Sequence, residues 1–126
     1  MTKKKKILVV DDEPATVEMI ADFLKASDFE VLVAYDGRQG LDRARAEKPD
    51  LIVLDIMMPK LDGFKVCWLL KLDKKYRHIP IIILTAKASP SDRETSYKSG
   101  ADAYLVKPLD TMRLLAMIRK LLREGE

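Results

Sequence analysis

The sequence predicts an α/β fold built from five βα units, a doubly wound parallel five-stranded sheet with helices on both faces. Three observations lead there. Five short apolar runs recur along 126 residues, and each is followed by a stretch of helical periodicity. The central run, Leu51-Ile52-Val53-Leu54, is apolar at every position, as in a strand buried on both faces. Turn and cap residues (Pro14, Asp36-Gly37, Pro49, Ser99-Gly100) fall between the segments. Right-handed crossovers then leave few topologies.

Ile7–Val10 is the first predicted strand, and Asp11-Asp12-Glu13-Pro14 follows it directly. Proline suits the first helical turn and acids suit a helix N-terminus. The first helix should bury Val17, Ile20, Ala21 and Leu24. Glu30–Ala34 reads as strand two. Asp36-Gly37 turns into a helix with Leu41, Ala44 and the stem of Arg45 on its inner side. After strand three, residues 59–63 form a loop, and Phe64, Cys67, Trp68 and Leu70 mark a third helix; packing of Trp68 against neighbouring helix side chains is the favoured reading, and a half-exposed Trp68 on a partner face is the alternative. Ile81–Leu84 is strand four, ending in Thr85. Ser89 and Pro90 read as the cap and first turn of a fourth helix, closed by Ser99-Gly100. Ala103–Val106 is strand five, and the last helix carries Leu114, Leu115, Ile118, Leu121 and Leu122 on one face.

Repeats, low-complexity tracts and linkers are absent, so residues 1–126 are expected to be a single domain with a basic N-terminal tail over 1–5. The formal net charge is +3, with no basic stripe interleaved with aromatics, which argues against direct nucleic-acid binding. One cysteine, Cys67, excludes an internal disulfide and any cysteine-based zinc site, and suits a reducing cytoplasm. No signal peptide and no apolar run near the ~18 residues of a membrane span are present, so a cytoplasmic protein is expected. The lone His78, beside Pro80, reads as a loop residue.

Polar groups stand where the strands end: Asp11 and Asp12 after the first, Asp55 after the third, Thr85 after the fourth and Lys107 after the fifth. In a parallel sheet these ends share one edge, the edge at which open α/β sheets bind ligands. Crowded carboxylates repel one another, and their pKa values rise unless a cation neutralises them. An all-oxygen set in a small site suggests Mg²⁺. An aspartate nucleophile, a metal, a hydroxyl and a lysine are the equipment for phosphoryl transfer to a carboxylate. Singly, each residue reads more simply as a cap or a solvated rim group; it is their coincidence at corresponding strand ends that carries the argument.

Val9-Val10-Asp11-Asp12-Glu13, Leu54-Asp55-Ile56-Met57-Met58-Pro59 with Asp62-Gly63, Leu84-Thr85-Ala86 and Gly100–Pro108 together resemble the response-regulator receiver domain of bacterial two-component signalling. The resemblance implies the flavodoxin-like strand order 2-1-3-4-5. It makes Asp55 the acceptor of a phosphoryl group from a histidine kinase or a histidine phosphotransfer protein. Asp12, Asp55 and the backbone carbonyl of Met57 would ligate Mg²⁺, with Asp11 joining directly or through water. Lys107 would pair with phosphoryl oxygens next to a cis Lys107–Pro108 bond, and Thr85 would bond the arriving group. Tyr104 would reorient with Thr85 and alter the surface formed by helix four, strand five and helix five, where an unknown downstream protein or output domain would bind. Such a chain is a switch with slow self-dephosphorylation, an enzyme only incidentally.

Met57 and Lys87 occupy the positions that flank the path of hydrolytic water in this family, and an apolar Met57 implies a long-lived phosphate. Residues 64–67 and 77–80 loosely resemble receivers found alone or ahead of cyclase domains. Ala103, Arg113 and Met117 depart from the charged pattern of the winged-helix branch, so its dimer is not implied, although some phosphorylation-dependent dimer stays open. Two rival readings are a receiver-type docking domain that works without phosphate and a flavin-binding electron carrier. The intact set of rim residues disfavours the first. The acidic pair after strand one, where a flavin phosphate would sit, disfavours the second.

Overall fold

The computed structural model of the chain describes residues 3–58, 61–86, 91, 94, 95 and 98–124. The apolar runs become strands β1 (Lys6–Val10), β2 (Glu30–Ala34), β3 (Leu51–Asp55), β4 (Ile81–Thr85) and β5 (Ala103–Val106). Every pairing is parallel and the order is β2-β1-β3-β4-β5, the order expected for the receiver fold. The helices are α1 (Pro14–Ala26), α2 (Gly37–Glu47), α3 (Gly63–Leu72) and a C-terminal helix, Thr111–Glu124. The described residues among 91–98 are also helical, whereas Ser89 and Pro90, the expected cap and first turn, lie outside the described residues.

Strand residues alternate between two cores because successive side chains point to opposite faces. Ile7, Val9, Leu51, Val53, Ile82 and Leu84 face one cluster, which is closed by Val17, Ile20 and Leu24 of α1 and by Leu114 and Ile118 of the C-terminal helix. Leu8, Val10, Ile52, Leu54, Ile81 and Ile83 face the other, closed by Leu41 and Ala44 of α2 and by Val66, Cys67 and Leu70 of α3. The unbroken apolar runs are thus explained by a sheet with no solvent face.

Local chemistry sets the element ends. Pro14 opens α1 although Glu13 makes no side-chain cap bond. The Asp36 carboxylate accepts the Gln39 N–H at 2.8 Å and caps α2, and Asp62 accepts the Lys65 N–H at 3.0 Å and caps α3. Gly100 adopts φ +93° just after the helical residues end, a conformation that favours glycine. Two sequence expectations need correction. Arg45 is exposed rather than turned inward, because Gly37, Gly40, Leu41 and Ala44 already form the inner face of α2. Trp68 is 47% exposed rather than packed away, since Val66, Cys67 and Leu70 take the inner face of α3. No helix among the described residues is long and apolar enough to cross a membrane.

Candidate functional site

The register brings the predicted polar residues to one rim. Val10 lies opposite Leu54, so Asp11 follows β1 beside Asp55, the last residue of β3. Thr85 lies opposite Val106, so Lys107 leaves β5 next to the end of β4, and its backbone N–H donates to the Thr85 carbonyl at 2.7 Å. The Lys107–Pro108 peptide bond is cis.

Carboxylate oxygens of Asp11, Asp12 and Asp55 lie within 4.8 Å of one another. Asp11 and Asp55 are buried and Asp12 is exposed. The Asp11 N–H donates to the Ala34 carbonyl at 3.2 Å, which fixes the backbone, and Asp11 Oδ1 accepts the Glu13 N–H at 3.1 Å, which orients the carboxylate. Lys107 Nζ stands 3.1 Å from Asp55 Oδ1 and 3.5 Å from Asp11 Oδ2.

Burial is the first cause that raises the Asp55 pKa; the Asp11 charge adds to it, while Lys107 pulls the other way. The Asp11 pKa also rises, again mainly through burial, against the opposing pull of the Glu13 N–H and Lys107. For Lys107 burial disfavours the ammonium, but the hydrogen bond and charge of Asp55, with the charge of Asp11, outweigh it and its pKa rises.

Three carboxylates against one ammonium leave two negative charges uncompensated when all are ionised. Oxygen-only donors, a concave rim and an excess of two charges fit a hard divalent cation of the Mg²⁺ kind. The cluster thus offers a carboxylate nucleophile held beside a cation-binding set and a fixed lysine.

Thr85 is buried at the end of β4. Tyr104 lies opposite Ile83 on β5; its hydroxyl is buried, and the residue borders a cleft with Pro108, Leu109, Asp110 and Arg113. Met57 is 64% exposed and lines a second cleft with Asp12, Met58, Asp62 and Phe64. Lys87 lies outside the described residues.

Sequence reasoning missed how tightly the loop between β3 and α3 is held. A Cβ on Gly63 would collide with the Asp55 carbonyl oxygen, and one on Gly37 with the Leu61 carbonyl oxygen. The Asp-Gly pairs at 36–37 and 62–63 were the available signal, since each ends in a helix start pressed against another chain segment.

Residues 7–119 match the family described as the response regulator receiver domain. The curated relatives include the DNA-binding dual master transcriptional regulator RpaA of Synechocystis, 42% identical over 96% of this chain and 50% of its own length. The response regulator PleD of Caulobacter vibrioides is 45% identical over 94% of this chain and 26% of its own length. The chain therefore spans about half the length, or less, of these relatives. Among solved structures, the Francisella response regulator 1452 receiver domain superposes with a TM-score of 0.91 at 32% identity, covering 98% of this chain and 100% of that one. The chemotaxis protein CheY4 of Vibrio cholerae gives 0.89 at 31% identity, with 94% and 99% covered.

Proposed function

This chain belongs to the response regulator receiver domain family, and we propose that it is a two-component phosphorylation switch with Asp55 as the acceptor. The observation that carries this reading is Lys107 Nζ, 3.1 Å from Asp55 Oδ1 within a cluster of three carboxylates on the sheet rim. Residues 1–126 act as a single receiver unit, in the cytoplasm. The donor is the phosphohistidine of a histidine kinase or of a phosphotransfer protein.

An Asp55 oxygen attacks phosphorus, the P–N bond of the donor breaks as the P–O bond forms, and the imidazole leaves with the electron pair. Asp11, Asp12, Asp55 and the Met57 carbonyl would hold Mg²⁺, whose positive charge would let an anionic phosphoryl group approach these carboxylates. Lys107 favours the ionised Asp55 before transfer and pairs with the phosphoryl oxygens after it. The Thr85 hydroxyl donates to the same group, and Tyr104 follows Thr85. This biases a two-state equilibrium of the surface formed by residues 91–98, β5 and the C-terminal helix, and that surface binds the downstream partner.

Relatives named for DNA binding are about twice as long as this chain. Our reading gives these residues the switching role and no direct nucleic-acid contact.

Intact-mass measurement after incubation with acetyl phosphate and Mg²⁺ tests the proposal. One phosphoryl adduct is expected, and none without Mg²⁺ or in Asp55→Asn. No adduct, together with no response to beryllium fluoride, would favour the phosphate-independent docking domain. Exposed Met57 cannot orient a water, so the phosphate should be long-lived. Met57→Asn should speed its decay several-fold, and an unchanged rate would remove Met57 from this role.

A further inference from the structure

Helix α3 is apolar on two sides. Val66, Cys67 and Leu70 enter the core beneath it. Phe64, Trp68 and Leu72 recur at intervals of four residues along another side, where Trp68 is 47% and Leu72 59% exposed and Phe64 is half-buried against the core. A helix with apolar residues all round is normally covered all round, and a contiguous exposed apolar stripe marks an interaction surface. Phe64 and Trp68 also wall a groove whose opposite bank is Thr95 and Lys98.

The charges beside the stripe decide what covers it. Lys65 lies in the groove itself, and Lys74 and Lys75 follow the end of α3 just beyond Leu72. Among the described residues no carboxylate comes within ion-pair distance of these three, whereas Lys98 is paired with Glu94 at 3.0 Å. Asp62, which also lines the groove, and Asp73 each accept a backbone N–H and keep their charge, so the three lysines exceed the two neighbouring carboxylates by one.

We propose that the outer face of α3 docks an acidic amphipathic helix of a partner protein. Trp68 is the central anchor, Phe64 and Leu72 extend the apolar strip one turn in each direction, and Lys65, Lys74 and Lys75 meet carboxylates on the flanks of the incoming helix. A straight partner fits because the strip follows one ridge of α3, the geometry by which helices pack. Phe64 at the N-terminal end of the strip also borders the cleft of Asp12, whereas Trp68 and Leu72 lie further along α3.

Trp68 is the only tryptophan of the protein and reports directly on this face. The experiment titrates the whole chain with a synthetic helical peptide that carries leucine on one face and glutamate on its flanks. A twin peptide with lysine in place of glutamate serves as the control. The expected result is a saturable blue shift of Trp68 emission with the acidic peptide, at least tenfold weaker binding of the lysine twin, and at least tenfold loss in Leu72→Ser. That variant keeps the reporter and changes an exposed residue, so circular dichroism should show its fold intact. Lys65→Glu should narrow or reverse the preference between the peptides. Equal binding of both peptides, an unchanged affinity in Leu72→Ser, or no shift at all would overturn the proposal. So would concentration-dependent dimerisation that buries Trp68 without peptide, which would assign the face to a second copy.

Discussion

Lys71 and Lys107 are partly buried lysines that hold carboxylates at opposite ends of the sheet, and they do different things. Lys71 near the end of α3 donates to the Ile79 carbonyl at 2.7 Å, the Arg77 carbonyl at 3.1 Å and Asp102 Oδ2 at 2.8 Å. Asp102 Oδ2 also accepts the Ile81 N–H at 2.8 Å. One cation meets one anion, each hydrogen of the ammonium has an acceptor, and the start of β4 is stapled to α3. Lys107 at the opposite edge faces Asp55 and Asp11, with Asp12 close by, and cannot balance them. A balanced pair whose carboxylate reaches solvent is structure; buried carboxylates left unbalanced keep an electrostatic demand that a cation or an incoming group can meet.

Breaking the balanced network should have the largest effect. Lys71→Met leaves Asp102 without its cation and two carbonyls without a donor, which should cost roughly 2–3 kcal/mol. Urea denaturation should show the same loss with and without Mg²⁺. A loss below about 0.5 kcal/mol, the usual size of a neutral surface change, would dissolve the contrast.

Lys107→Met should cost less, roughly 1–2 kcal/mol at neutral pH in the absence of Mg²⁺, since these carboxylates are already poorly compensated. Much of that loss should return when Mg²⁺ is added. A Lys107 variant that Mg²⁺ does not rescue would make this lysine a staple like Lys71.

The acid side sharpens the comparison further. Folded-state pKa values of Asp11 and Asp55 lie above the ordinary 3.8, chiefly through burial. Between the unfolded and the folded pKa the native state binds more protons than the unfolded chain, so the stability this pair contributes is present at low pH and lost as pH rises. Without metal, the stability of Asp55→Asn relative to the parent should therefore grow from pH 4 towards neutrality. A flat difference would show that the site is balanced after all.

Much of this was legible in the sequence. The bounds of β2 and β5 and the buried faces of α1 and the C-terminal helix follow from apolar spacing, because a strand or helix with one available core leaves little choice. Asp11, Asp55, Thr85 and Lys107 could be assigned to one rim because a parallel sheet turns sequence position into spatial position. The Lys71–Asp102 pair was not legible: its members are 31 residues apart, and a lysine within an apolar helix announces no partner. The exposure of Trp68 was legible only as the less favoured of two readings, because both sides of α3 are apolar and spacing alone does not say which side faces the sheet.

The most direct test of the unbalanced rim is the melting temperature of the parent and of Asp55→Asn, each with and without Mg²⁺. Our account predicts that the metal-free variant melts higher than the metal-free parent by roughly 3 °C, about 1 kcal/mol for a chain of this size. Mg²⁺ should raise the parent's melting temperature and leave the variant's nearly unchanged. A variant that melts lower than the metal-free parent, with Mg²⁺ shifting neither protein, would contradict it.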